Sequence, residues 1–102
     1  MVSTQMDGPM GYLFDWDPKK AASNLRKHGI TFEEATTVFG DGLVLLMLDP
    51  DHSLDEERYI LLGMSSRRNL LVVSFAERPP RTRLISTRRA TRPERRLYEE
   101  ET

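Results

Sequence analysis

The sequence predicts an α+β protein: two helices toward the N-terminus, an antiparallel meander of strands, and a closing helix. Three observations carry this. Helix caps cluster before residue 42, strand-like runs occupy residues 43–89, and a capping box falls at 91–94. The turns between the strand runs are too short for crossover helices, so the pairs are expected to be antiparallel hairpins.

Taken in order, "FDWD" (14–17) reads as a short strand. Asp17 then caps a helix with Pro18 at its first position, and Ala21, Ala22 and Leu25 supply a modest apolar face. Gly29 ends that helix, with Lys27 and His28 at its negative end. Thr31 and Glu34 mark a second helix by a capping box, with Ile30 and Ala35 as its staple, and "GDG" (40–42) stops it. "LVLLML" (43–48) is apolar throughout and reads as a strand buried on both faces or a short core strand. "RYILLGM" (58–64), "LLVVSFA" (70–76) and "RTRLISTRR" (81–89) read as three further strands, separated by "SSRRN" and "ERPP". "TRPE" (91–94) opens the terminal helix. Residues 1–13 read as a loose, disordered tail, leaving residues 14–102 as one domain.

The composition excludes several chemistries. The chain has 102 residues and no cysteine, so disulfides, iron–sulfur clusters and thiolate zinc sites are ruled out. No apolar run approaches the roughly 18 residues of a membrane span, and residues 1–12 lack the pattern of a secretory signal. A cytoplasmic location with no membrane partner is the expectation. The net charge is -1, but its distribution is uneven. Residues 1–57 hold eleven Asp or Glu and four Lys or Arg, whereas residues 58–96 hold eleven Arg and only two acids, Glu77 and Glu94. A surface with that bias attracts polyanions, and the planar guanidinium suits phosphate. The bland alternative is an arginine-rich surface that solubilises a sheet edge.

The acidic loop "DPDHSLDEE" (49–57) has alternating Asp49, Asp51, Ser53 and Asp55. It departs from a calcium loop by Leu54 at the glycine position and Ile60 at the twelfth. No histidine pair has zincin spacing, no glycine-rich phosphate loop exists, and Ser65 and Ser66 lack a nucleophile-elbow context. No metal and no cofactor are expected. What remains is general acid–base chemistry with arginines offsetting charge on a phosphate. Glu57 and Arg58 sit where a loop enters a strand, His28 at a helix end, and Arg83, Arg88 and Arg89 on one strand. Each has a structural alternative: Glu57 as an arginine partner, His28 as a complement to the helix dipole, the arginines as protection of an edge. In a regular strand Arg83, Ile85, Thr87 and Arg89 face one way and Thr82, Leu84, Ser86 and Arg88 the other. Arg83 and Arg88 then share no face unless a bulge intervenes.

The segments "FDWDPKKAASNLRKHGITFEEATTVFGD", "DEERYILLGMSSRRNLLVVSFAER" and "RLISTRRATRPERRLYEE" together resemble the BrnT family of bacterial toxins over residues 14–100. The resemblance implies a type II toxin with a RelE-like ribonuclease fold that blocks translation by cutting RNA without a metal. It also implies a BrnA-like ribbon-helix-helix antitoxin, with promoter DNA bound only through the toxin–antitoxin complex. Carried over by position, the recurrent polar residues are Lys20, His28, Glu57, Arg58, Arg83, Arg88 and Glu94. Of these Glu57, Arg58, Arg83, Arg88 and His28 are the catalytic candidates. Lys20, Arg89 and Glu94 are the substrate-binding candidates, with the general acid and base left open. A non-catalytic module that holds nucleic acid or an antitoxin on its basic surface is the competing reading. Arg92, Arg95 and Arg96 lie at the positive end of the terminal helix, so its own dipole does not explain them. They are expected to be surface, partner-facing or steering charges.

Overall fold

Six strands, β1 (Thr4–Asp7), β2 (Leu13–Trp16), β3 (Leu45–Leu48), β4 (Arg58–Met64), β5 (Leu70–Arg78) and β6 (Arg81–Arg89), form a sheet ordered β1-β2-β6-β5-β4-β3 in the computed structural model, which describes residues 2–49 and 56–101. Three helices, α1 (Pro18–His28), α2 (Phe32–Thr37) and α3 (Arg92–Glu101), complete the α+β fold. The local signals act as expected. The Asp17 carboxylate accepts the Lys19 N–H at 2.9 Å, and Gly29 takes a left-handed φ of 70° that lets its N–H reach Leu25 O. Thr31 Oγ1 accepts the Glu34 N–H at 3.0 Å. Glu34 does not complete the capping box, because its buried carboxylate accepts from Ser65 Oγ and Asn69 Nδ2, both at 2.7 Å.

The sheet separates two apolar clusters. On one face Phe14, Trp16, Leu61, Leu71, Val73, Phe75 and Leu84 pack beneath Ile30, Phe32, Ala35, Val38 and Phe39. Gly63 on β4 faces the same side. A Cβ there would sit 2.8 Å from Val44 and 2.9 Å from Val38, so the close approach of residues 38–44 requires glycine. On the other face Leu62, Leu70 and Val72 pack with Tyr98 of α3. Asp41 joins the two sides, accepting from Met64 N at 2.8 Å, Leu43 N at 3.0 Å and the Tyr98 hydroxyl at 2.7 Å.

Three sequence expectations change. Within the expected tail, residues 4–7 form β1, which pairs antiparallel with β2 and packs Met6 on the first cluster. The run at 43–48 is an edge strand rather than a core strand, with Leu43, Leu46 and Leu48 exposed by 56%, 61% and 63%. Only Val44 and Leu45 of the run pack inward, one on each cluster. Not every pair is an antiparallel hairpin: β2 runs parallel to β6, with Phe14 opposite Thr82 and Asp15 opposite Arg83. Short turns constrain consecutive strands only, and β2 and β6 are far apart in sequence.

Beyond its two parallel pairs with β2, the outer edge of β6 is taken over by a side chain. Buried Asn24 of α1 donates to Thr87 O at 2.9 Å and to Ile30 O at 3.2 Å, and accepts the Thr87 N–H at 3.0 Å. It thereby satisfies both backbone groups of Thr87 as a neighbouring strand would. Asn24→Ala removes all three bonds and leaves buried backbone groups unpaired. A loss of about 2–4 kcal/mol of unfolding free energy is expected in urea titrations. Asn24→Asp is expected to be no better, because a carboxylate would face two carbonyl oxygens. A loss below about 0.5 kcal/mol in both variants contradicts this account.

Candidate functional site

The pairing of β5 with β6 slips once. Ser74 lies opposite Ser86 and Phe75 opposite Leu84, leaving Ile85 as an extra residue on β6. This bulge reverses the alternation. Thr82, Leu84 and Thr87 are buried on the face toward α1 and α2, while Arg83, Ser86 and Arg88 face the other way. Arg83 and Arg88, five positions apart, thus come to one face. The neighbouring strand adds Ala76 opposite Arg83 and Val72 opposite Arg88, and the register carries Arg58 opposite Ala76.

Along the end of this face that α3 leaves open, arginines gather around two carboxylates. Arg78 holds Glu56 through two bonds, Nε at 3.1 Å and Nη2 at 2.9 Å. That fork, with help from the charges of Arg58 and Arg83, keeps the Glu56 carboxyl below its ordinary range. Arg83 Nη1 lies 3.4 Å from Asp15 Oδ2 and donates to Ser3 Oγ at 2.8 Å. The other Asp15 oxygen is buried with no hydrogen-bond partner among the described residues. Arg58 has no ion-pair partner among the described residues. The residues between these groups are mostly small: Ser86 is exposed, Ser74 half-buried beside Ile60, and Ala76 fully buried beneath its neighbours.

At the other end of the face, Arg88 is committed to α3. Its Nη1 and Nη2 bind the two oxygens of Glu94 at 2.8 and 3.0 Å. Glu94 also accepts the Thr91 N–H at 2.8 Å, completing the capping box, so one carboxylate caps the helix and clamps it to the strand. The Arg88 fork, with the Thr91 bonds, overcomes the cost of burial and draws the Glu94 carboxyl down to about 2. On the same helix burial pushes the Tyr98 phenol up to about 12, reinforced by its bond to Asp41.

The remaining candidates lie elsewhere. Lys20 and His28 are exposed on α1, which packs on the opposite side of the sheet. Glu57 is exposed and accepts the Tyr59 hydroxyl at 2.7 Å, on the side of the first cluster. Arg89 donates to Asn69 Oδ1 at 2.9 Å and so joins the Glu34 network on that same side. Of the eight candidates, Arg58, Arg83, Arg88 and Glu94 share a face, and Lys20, His28, Glu57 and Arg89 do not. Asp15, Glu56 and Arg78 were not singled out from sequence. Asp15 lies between two buried aromatics, and that alternation marks it as facing the opposite side. In "EER", consecutive acids in extended chain face opposite ways, so only one of Glu56 and Glu57 can meet the arginines. Most of the acidic loop weighed as a calcium site, residues 50–55, lies outside the described residues.

A small α+β protein with an open, arginine-lined sheet face is thereby defined. The chain belongs to the BrnT family, described as the ribonuclease toxin of a type II toxin–antitoxin system, whose profile matches residues 16–94. The matched span includes the Asn24 clamp, the arginine face and Glu94, and an antitoxin partner follows from membership of such a system. A search of curated proteins finds no match. No helix among the described residues is long and apolar enough to cross a membrane.

The Arg88–Glu94 pair makes stability depend on acid. Glu94 titrates near 2 in the folded chain against an ordinary 4.5, so its contribution is complete above about pH 4.5 and is lost as pH falls toward 2. Arg88→Met removes the largest cause of that depression. The stability gap between wild type and variant is expected to be constant from pH 7 to about 5 and to narrow steadily below. Urea midpoints measured across that range check it, and a gap independent of pH counts against the clamp.

Proposed function

We propose that the chain is a metal-independent endoribonuclease of RelE-like type that inhibits translation in the cytoplasm and is neutralised by a BrnA-like ribbon-helix-helix antitoxin. RNA is read as lying on the open sheet face, with Arg58 and Arg83 contacting phosphate and Arg78 held in reserve by Glu56. The observation that carries this reading is the β6 bulge, which brings Arg83 and Arg88 to the face that already holds Arg58 and Arg78.

Cleavage through the ribose 2′-hydroxyl builds negative charge on the phosphate oxygens as the new bond forms. Arg58 supplies a guanidinium with no ion-pair partner among the described residues, and Arg83 supplies one that is only partly occupied by Asp15. His28 and Glu57 stand on the other side of the sheet, which favours charge stabilisation and in-line positioning of the substrate as the main source of rate. Arg88 serves by holding α3 beside the site rather than by touching the phosphate. A second reading, RNA binding without cleavage, draws on the fact that Asp15 and Glu56 are both close to arginines and neither is a free base. Promoter DNA is reached through the antitoxin complex in either case.

Purified protein is expected to cut RNA in excess EDTA. Arg58→Ala and Arg83→Ala are each expected to lower the rate by about 10²-fold or more, the scale for removing one charge-stabilising donor. Arg83→Lys is expected to recover little, because a point charge does not replace the fork between Asp15 and phosphate. RNA that survives high protein concentration, while still binding with a steep salt dependence, supports the binding module and overturns the nuclease.

A further inference from the structure

The opposite edge of the sheet carries a feature that the arginine face does not use. Edge strand β3, Leu-Leu-Met-Leu, has no charged residue and no proline, the usual protections of an unpaired edge. Leu46 and Leu48 are exposed by 61% and 63%, and Met47 by 39%. Beside it, on the helix side of the sheet, lies a cavity of about 360 Å³. Phe39, Leu61 and Phe75 form its floor, and Tyr12, Leu46 and Tyr59 its walls. The aromatic rings are locked edge to face and stacked, with Phe39–Phe75 centroids 5.1 Å apart and Tyr59–Phe75 centroids 5.5 Å apart, so the cavity is preformed. Its polar rim is acidic, with Glu77 in the lining and Glu57 bonded to the Tyr59 hydroxyl.

We infer that this edge and cavity are the docking site for an extended segment of the antitoxin, which adds a seventh strand to β3 and seats an apolar side chain in the cavity. Backbone pairing supplies the attachment, alternate side chains fill the groove, and a basic residue of the segment meets Glu57 or Glu77. Charge complementarity selects this occupant over a second copy of the chain. The segment Leu43–Asp49 that a second copy would offer carries no cation and ends in an acid, so it would bring carboxylates toward carboxylates. The inference rests on membership of a two-protein family and not on the cleavage chemistry. It also leaves the arginine face, on the other side of the sheet, free for a different part of the partner.

Two binding measurements with the full-length cognate antitoxin test it. Hydrogen exchange on the wild-type toxin is expected to show the amides of Leu45–Leu48 slowed by at least about tenfold on complex formation. Leu46→Asp alters a side chain that is already mostly exposed, so the free fold is expected to keep its thermal midpoint. Its affinity for the antitoxin is expected to fall by at least about tenfold, while RNA cleavage proceeds at the wild-type rate. Unchanged exchange at β3, or unchanged affinity in Leu46→Asp, overturns the proposal. Self-association of the free toxin that Leu46→Asp abolishes, with antitoxin affinity intact, overturns it in favour of a second copy. Both readouts are of binding, so they remain decisive for a toxin that proves to have no nuclease activity.

Discussion

An extra residue in one strand governs much of this molecule. Without Ile85 as a bulge, β6 would alternate evenly, and either Arg83 or Arg88 would point into the aromatic cluster beneath α1 and α2. Burying an unpaired guanidinium there would cost several kcal/mol, so the bulge and the apolar packing require one another. The reversal also turns Thr87 inward, where Asn24 clasps its backbone. One irregularity thus positions an arginine on one face and anchors a helix on the other. The bulge is followed on its outer side by a clamp that substitutes for strand pairing, so its position along the strand is held from both edges.

The two sides of the sheet also satisfy their carboxylates differently. On the open face Glu56 and Glu94 are held by arginines that depress their carboxyls, and Asp15 lies against Arg83. On the helix side, Glu34 is satisfied by a serine and an asparagine and is linked through Asn69 to Arg89 without touching it. A chain with a net charge of -1 can therefore gather four arginines, Arg58, Arg78, Arg83 and Arg88, on one face with three carboxylates, Asp15, Glu56 and Glu94. Arg78, Arg83 and Arg88 are held by carboxylate neighbours, which limits their side-chain freedom before any partner binds.

Local signals in the sequence were reliable where the cause was local. Asp17, Gly29, Thr31 and the Thr91–Glu94 box act within four residues, and each does in the structure what its type predicts. The strands from 58 to 89 were also legible, since alternation and turn residues depend on near neighbours. What could not be read depends on distant partners. Whether an apolar run such as 43–48 is covered depends on what the rest of the chain places beside it, and here Val44 and Leu45 pack on the two clusters while Leu43, Leu46 and Leu48 stay exposed. The parallel contact of β2 with β6 and the strand at residues 4–7 are of the same kind. For the site, Arg58, Arg83 and Arg88 were readable, but Arg78 and the partition between faces were not. A bulge leaves no mark in composition, and the neighbouring acids Glu56 and Glu57 are distinguished only by which side of the sheet each meets.

The parallel pairing of β2 with β6 has a consequence for the order in which the molecule can assemble. Phe14 and Trp16 lie on β2, near the start of the chain, yet the strand on the inner side of β2, β6, is the last of the sheet. Until residues 81–89 have left the ribosome, β2 has no inner neighbour, and the aromatic cluster lacks Leu84. The arginine face is incomplete for the same interval, because Arg83 and Arg88 arrive with that strand. Contacts of such long sequence separation form slowly and together. A partly made toxin on the ribosome is therefore a chain with neither a closed core nor a finished cationic surface, and both are completed after the same late stretch emerges.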